Sequence, residues 1–185
     1  DGNDNFDGTE EFPLLTIEKA FSIINPDEFD PVTIHLSAGT FSPDSTGEDL
    51  PVIMISNVNL IGQGEEVTII DAEGTGRVII LEDCTNNSIS KLTITGGFSF
   101  DDLVYGGGGM FIDHSSPTLS NITIRSNIAL IGSGIQLNYS NPNMENMIIS
   151  ENGSSSAYYG GGMYLNFSNP NMENIKISEN AVAFN

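Results

Sequence analysis

Five cations stand against twenty-five carboxylates in this 185-residue chain, so acid–base chemistry has few places to reside. Elimination on an acidic sugar needs an Arg or Lys base beside carboxylates that hold Ca²⁺. The candidates are Lys19, Arg77, Lys91, Arg125 and Lys176. Lys19 falls in a helical stretch and Arg77 in a glycine-rich turn. Lys91 and Arg125 fall at exposed strand positions, with Lys176 expected to repeat the role of Arg125 two units later. Cations so placed on an acidic surface read first as salt-bridge partners. Glycoside hydrolysis needs two carboxylates facing each other across the substrate. Asp101, Asp102 and Asp113 are the candidates, but adjacent Asp side chains point to opposite faces of a strand. His35 and His114 have no Cys or His neighbours, so the spacing supports no zinc site. Cys84, the single cysteine, follows a strand-like run with no basic partner nearby and reads as a small buried hydrophobe. No catalytic residue is assigned.

Asn3-Asp4-Asn5-Phe6-Asp7-Gly8 carries oxygen ligands at alternate positions and a Gly for the bend, as a Ca²⁺ loop does. The candidate metal ligands are Asn3, Asn5 and Asp7. The loop lacks an Asp at its first ligand position and has Leu14 where a closing Glu would stand. No cofactor other than Ca²⁺ is expected. The net charge of -20 favours cations at the surface and opposes binding to nucleic acid or anionic membrane, which needs clustered Lys and Arg. No run is long and apolar enough to be a membrane-spanning helix.

The elements that position these groups come from a repeat. Three units align, at 106–127 (GGGGMFIDHSSPTLSNITIRSN), 132–152 (GSGIQLNYSNPNMENMIISEN) and 160–180 (GGGMYLNFSNPNMENIKISEN). Pro117, Pro142 and Pro170 mark equivalent turns, 25 and 28 residues apart. Asn121, Asn146 and Asn174 keep the same separations, as do Asn127, Asn152 and Asn180. A repeat of that length with three short alternating strands makes one coil of a β-helix, each coil bonded to the next at roughly 4.8 Å. Met163, Leu165, Ile175 and Ile177 are expected to be buried, with Tyr164 and Lys176 outward. Stacked Asn side chains are expected to form structural ladders that satisfy one another and the turn backbone.

The first half follows the same plan less regularly. Residues 33–36, 58–61, 68–70, 78–81 and 91–94 read as short strands bounded by Gly, Asn or Asp. Ahead of them, apolar residues at 14, 17, 20/21 and 24 follow helical spacing, with Thr16 as the N-cap. One amphipathic helix before a strand array seals the first coil of a solenoid from water. The expected fold is all-β, a right-handed parallel β-helix solenoid with a short N-terminal capping helix. Residues 1–31 form the turn and cap, and residues 32–185 form the coils of one domain, truncated or uncapped at its C-terminus.

The residues Asp7-Gly8-Thr9, Leu15-Thr16-Ile17-Glu18-Lys19-Ala20, Ser37-Ala38-Gly39-Thr40-Phe41 and Leu60-Ile61-Gly62 resemble the N-terminal portion of pectate-lyase-like β-helix proteins. Gly160-Gly161-Gly162-Met163-Tyr164 followed by Ile177-Ser178-Glu179-Asn180 is similar to the repeats of polymorphic outer-membrane adhesins, with Ile where that pattern often carries Phe. The resemblance implies the architecture. It leaves activity open, because such proteins include lyases, glycosidases, tailspikes and adhesins.

Insertions fall at one corner of the coils, at 98–105, 128–131 and 153–159. Stacking gathers Phe100, Asp101, Asp102, Tyr105, Tyr158 and Tyr159 on one rim, where tyrosine beside carboxylate suits sugar stacking and hydroxyl hydrogen bonding. The preferred reading is a non-enzymatic extracellular or cell-surface module, an adhesin or fibre component that binds carbohydrate or another host or cell-surface ligand. Self-association through the uncapped C-terminal coil, with Phe184 in the contact, is expected. The alternative is a fragment of a polysaccharide-active enzyme, a Ca²⁺-dependent lyase before a glycoside hydrolase.

Overall fold

The computed structural model describes residues 2–100, 106–154 and 157–183. Helix α1 spans Ile17–Ile23 and begins where Thr16 caps it, the Thr16 hydroxyl accepting from the Lys19 N–H at 3.1 Å. Leu14 and Leu15 stay outside the helix, where Asp4 accepts from the Leu15 and Thr16 N–H groups at 2.9 and 3.0 Å. Ile17 is buried, and Ala20, Phe21 and Ile24 pack on the core. The helical spacing read from the sequence is the face that closes the first coil.

The strands are β1 Val32–His35, β2 Gly39–Phe41, β3 Val52–Ile53, β4 Val58–Ile61, β5 Thr68–Asp71, β6 Ile79–Glu82, β7 Ser88–Thr95, β8 Phe98–Ser99, β9 Met110–Asp113, β10 Thr118–Arg125, β11 Ile128–Ala129, β12 Ile135–Asn138, β13 Asn143–Ser150, β14 Met163–Asn166 and β15 Asn171–Ser178. Every named pairing is parallel. The chain winds as a β-solenoid of about five turns with three sides. The first side stacks β1, β4 and the leading halves of β7, β10, β13 and β15. The second stacks β2, β5 and the trailing halves of those same long strands. The third stacks β3, β6, β9, β12 and β14.

The corner between the first two sides explains the long strands. Each bends at its fourth residue, which takes a left-handed conformation: Lys91, Asn121, Asn146 and Asn174, with φ of 59, 54, 53 and 53°. Asn tolerates this region better than other side-chain-bearing residues, so three of the four repeats place it there. Asn174 Nδ2 donates to Asn146 Oδ1 at 3.1 Å, and all three Asn are exposed.

The inner rows run along the axis as Ile89–Leu119–Met144–Met172, Leu92–Ile122–Met147–Ile175 and Ile94–Ile124–Ile149–Ile177. The third side adds Ile79–Met110–Ile135–Met163 and Leu81–Ile112–Leu137–Leu165. Each fully buried member contributes roughly 1.5–3 kcal/mol of transfer free energy.

Two expectations need correction. Met163, Leu165, Ile175 and Ile177 lie in the inward rows, yet Leu165 and Ile177 are 41% and 51% exposed and the other two are half-buried. Each belongs to the last of the described coils, so it has a coil beneath it and no described coil above. Lys176 does not repeat Arg125: it stacks on Ile148 and Thr123, whereas Arg125 stacks on Ser150 and, beyond it, Ser178. The two cations therefore occupy neighbouring rows of the second side.

Candidate functional site

Asn127, Asn152 and Asn180 form an inner ladder at the corner where the insertions leave. Asn127 donates from both its backbone N and its Nδ2 to Asn152 Oδ1 at 3.0 Å, and Asn152 repeats both bonds to Asn180 Oδ1. Gly97 N–H enters the ladder by donating to Asn127 Oδ1 at 2.8 Å. This ladder fixes the corner, so the insertions rise from the same place in each coil. Phe98–Ser99 pairs with Ile128–Ala129, Leu130 N–H donates to the Ser99 carbonyl at 3.2 Å, and Tyr158 N–H donates to the Leu130 carbonyl at 2.7 Å. Phe100, Tyr158 and Tyr159 thus share one edge of the solenoid. Phe100 stacks on Phe98 at 4.8 Å, and Tyr159 tilts against Tyr164 at 6.4 Å. Tyr158 and Tyr159 are 49% and 62% exposed. Asp101, Asp102 and Tyr105 lie outside the described residues, as does Phe184.

The opposite end of the third side carries a feature that sequence reasoning missed. His114, Tyr139 and Phe167 follow β9, β12 and β14 directly, each in a left-handed conformation (φ 44, 44 and 47°) that turns its side chain outward. Parallel coils place equivalent residues one strand spacing apart, which is also a favourable ring-stacking distance. The His114 and Tyr139 rings stack at 4.9 Å and 18°, and Tyr139 and Phe167 at 5.0 Å and 7°. Behind the rings a hydroxyl ladder locks the turn: Ser115 N–H donates to Ser140 Oγ at 3.1 Å, and Ser140 N–H to Ser168 Oγ at 3.0 Å. Cys84 continues that ladder, its N–H donating to Ser115 Oγ at 2.8 Å and its thiol to the Met54 and Glu82 carbonyls at 3.2 Å. Burial pushes the Cys84 thiol up. The signal was present in the sequence, as an aromatic ring three positions before each of Pro117, Pro142 and Pro170.

Between the tyrosine rim and the ring stack, the outward residues of the third side are Phe111, Gln136 and Tyr164 in one row and Asp113, Asn138 and Asn166 in the next. Gln136 Nε2 donates to Asn138 Oδ1 at 3.1 Å, and Gln136 Oε1 accepts from the Gly106 N–H. Arg77, read from the sequence as a turn residue, reaches across the coils. Its Nε donates to the Gly106 carbonyl at 2.8 Å and its guanidinium lies 5.7 Å from the centre of the Phe111 ring. Phe111 is consequently buried although it stands outside the axial core. Asp113 Oδ2 lies 3.1 Å from His114 Nδ1. Gln136 and Asn138 are buried and serve the wall, so the face offers ring surfaces at both ends with Asp113, Tyr164 and Asn166 half-exposed between them, a composition suited to a polyhydroxylated ligand.

The N-terminal loop engages its oxygens internally. Asn3 Oδ1 accepts from Asn5 N and Nδ2, both at 2.9 Å, and Asp7 Oδ1 accepts from Thr9 N and Oγ1 at 3.1 and 2.8 Å. The Thr9 bonds hold the Asp7 carboxyl below the usual carboxylate range. No cluster of three or more His, Cys, Asp or Glu side chains arranged for a metal occurs among the described residues. His35 is exposed on the first side.

The fold and its rows of stacked side chains define a right-handed parallel β-helix, and solved structures agree. The chain is similar to a pectin methylesterase variant solved with hexasaccharide IV, with a TM-score of 0.51 and 10% identity over 89% of this chain and 59% of that one. A pectin methylesterase in complex with hexasaccharide VII matches with a TM-score of 0.50 and 10% identity over 90% and 65%. The chain thus spans about three fifths of the length of these solved chains, and at such identity the likeness shows the fold alone. No curated protein matches the sequence. The chain belongs to the DUF1565 family, described as proteins of unknown function, whose model matches residues 1–185.

Proposed function

We propose that this chain is a non-enzymatic extracellular or cell-surface β-helix module that binds carbohydrate on the outer face of its third side, as part of an adhesin or fibre. The observation that carries the reading is the exposed His114–Tyr139–Phe167 stack facing the tyrosine rim across the half-buried Asp113, Tyr164 and Asn166. Rings supply apolar surface for sugar C–H faces, and the half-exposed Asp113 and Asn166 side chains can pair with hydroxyl groups. That two structural neighbours were solved with hexasaccharides supports a sugar as the ligand class. Affinity electrophoresis through gels containing pectic, xylan or β-glucan polymers tests it. Retardation by at least one polymer is expected, with Tyr139→Ala and Tyr164→Ala each weakening binding about tenfold, or ~1.4 kcal/mol. Retardation that both variants retain would reject the site.

The same reading extends to assembly. The last coil exposes Leu165, Met172 and Ile177, and copies associating through it would lose self-association in sedimentation when Met172 is replaced by Asp. A second reading, a polysaccharide-active enzyme fragment, draws on the structural neighbours being pectin methylesterases. Its test is turnover of uronic-acid polymers with Ca²⁺, followed by absorbance of unsaturated products for elimination and by methanol release for ester hydrolysis. Turnover abolished by Arg125→Ala would displace the non-enzymatic reading.

A further inference from the structure

The second side carries a groove that the carbohydrate face does not use. In the second coil the corner between the first two sides is not a single left-handed residue but the loop Gly62 to Val67, which folds back over the sheet. Its Gly64 N–H donates to the Lys91 carbonyl at 3.0 Å, and the Glu65 carbonyl accepts from Thr93 Oγ1 at 2.7 Å. Glu65 and Glu66 are thereby held above the outer row Ile69–Thr93–Thr123–Ile148, while Arg125 rises from the adjacent row. Together these residues line a groove of about 310 Å³.

The charges in the groove are arranged for an external partner. Among the described residues, neither Arg125 nor Lys176 forms an ion pair within 4.0 Å with any carboxylate, and neither Glu65 nor Glu66 pairs with a cation. Arg125 is the one cation among the residues that line the groove, and Lys176 stands outside it in the neighbouring row. Burial and the neighbouring Glu66 raise the Glu65 carboxyl, as expected of a carboxylate pair that lacks its counter-charge. The floor between the charges is Ile69, Ile148 and the Thr123 methyl-bearing side chain, which suits a methylene chain.

We propose that this groove binds an amino-carboxylate ligand, its ammonium taken by Glu65 and Glu66 and its carboxylate by the Arg125 guanidinium. A compound with a single charge satisfies only one end. A polyanion meets the two glutamates, and a polyamine meets Arg125, so only a ligand carrying both charges pays no repulsion. The guanidinium fork binds carboxylate through two parallel hydrogen bonds, a geometry Lys cannot reproduce.

The test is an NMR titration of the full chain with ω-amino acids of increasing length, from 3-aminopropanoate to 6-aminohexanoate, alongside hexylamine and hexanoate. Binding is expected to pass through an optimum length, because the glutamates and Arg125 rise from different elements at separate places along the groove, and to exceed that of either singly charged compound at least fivefold. Arg125→Gln and Glu65→Gln should each abolish that advantage. Arg125 is exposed and Glu65 half-buried, and amide spectra serve to verify that the variants fold. Equal shifts for amine, acid and amino acid, no shift for any of them, or an advantage that survives Arg125→Gln would overturn the proposal.

Discussion

Replacing Asn152 by Ala should be among the most damaging single substitutions in the chain. The side chain is fully buried and makes four hydrogen bonds. Its Nδ2 donates to the Ile124 carbonyl at 2.9 Å and to Asn180 Oδ1 at 3.0 Å, and its Oδ1 accepts from the backbone N and the Nδ2 of Asn127, both at 3.0 Å. Asn127 Nδ2 keeps the Ile94 and Arg125 carbonyls when Asn152 is truncated, so it is not stranded. The Asn127 N–H is, whereas the Ile124 carbonyl keeps its place in the ladder between β10 and β13. The orphaned N–H costs about 1–3 kcal/mol and each further hydrogen bond lost about 0.5–1.5, which puts the loss at roughly 3–4 kcal/mol. Asn180 makes an equivalent set of bonds but is half-buried on the last coil, where water replaces lost partners. Asn180→Ala should therefore cost no more than about 2 kcal/mol. Urea unfolding followed by circular dichroism measures both, with the midpoint shift read at constant slope. A loss below about 1 kcal/mol for Asn152→Ala, or equal losses for the two variants, would show that the ladder is not the inner fastening of the coils.

Glycine packing gives a second test: a Cβ on Gly134 would lie 2.4 Å from the Gly162 carbonyl oxygen, whereas one on Gly76 meets nothing nearer than 3.8 Å. Gly134→Ala should lower the urea midpoint sharply and Gly76→Ala should leave it nearly unchanged. Cys84→Ser should stay within about 1 kcal/mol of the parent in the same assay, because a hydroxyl can enter the Ser115–Ser140 ladder directly. The Cys84 thiol should react with a disulfide reagent only on unfolding, and fast labelling of the folded chain would contradict its burial. The cap helix predicts a pH signature. Glu48, buried against the Ile17 N–H at 2.8 Å, has its carboxyl raised by desolvation, so its contribution is complete at low pH and is lost as pH rises through the raised value. Although burial opposes it, hydrogen bonds from Thr16 and Leu15 hold Asp4 below the usual range, so its contribution is present at neutral pH and is lost as pH falls through that lowered value. Glu48→Gln should abolish the decline toward neutral pH and leave the acid limb intact, as measured by urea midpoints across pH.

Most of the coil architecture was legible because stacking imposes a period of 25 to 28 residues on short alternating strands, one period per coil. Pro117, Pro142 and Pro170 and the two Asn series occupy equivalent turn and ladder positions, which only coils laid in register would conserve within one chain. The capping helix was legible for the same reason: residues 17, 20, 21 and 24 form one face, and that face meets the core. The burial of the last coil was misread because alternation reports the direction of a side chain and not whether anything covers it. Lys176 was misaligned by matching charge instead of register. The ring stack escaped notice because His114, Tyr139 and Phe167 differ as residue types, and their likeness lies in being flat rings at one position. The Glu65–Arg125 groove was not legible at all. It depends on a loop between β4 and β5 folding over strands that come 25 or more residues later, and no local pattern encodes that closure.

The most direct measurement of the proposed function is the map of backbone amide shifts when a hexasaccharide fragment of a retarding polymer is titrated into the labelled chain. Changes are expected at Asp113 to Ser115, Gln136 to Ser140 and Tyr164 to Phe167, the residues of the outer third side. Changes confined to the first or second side, or saturation binding with that face unmoved, would contradict it.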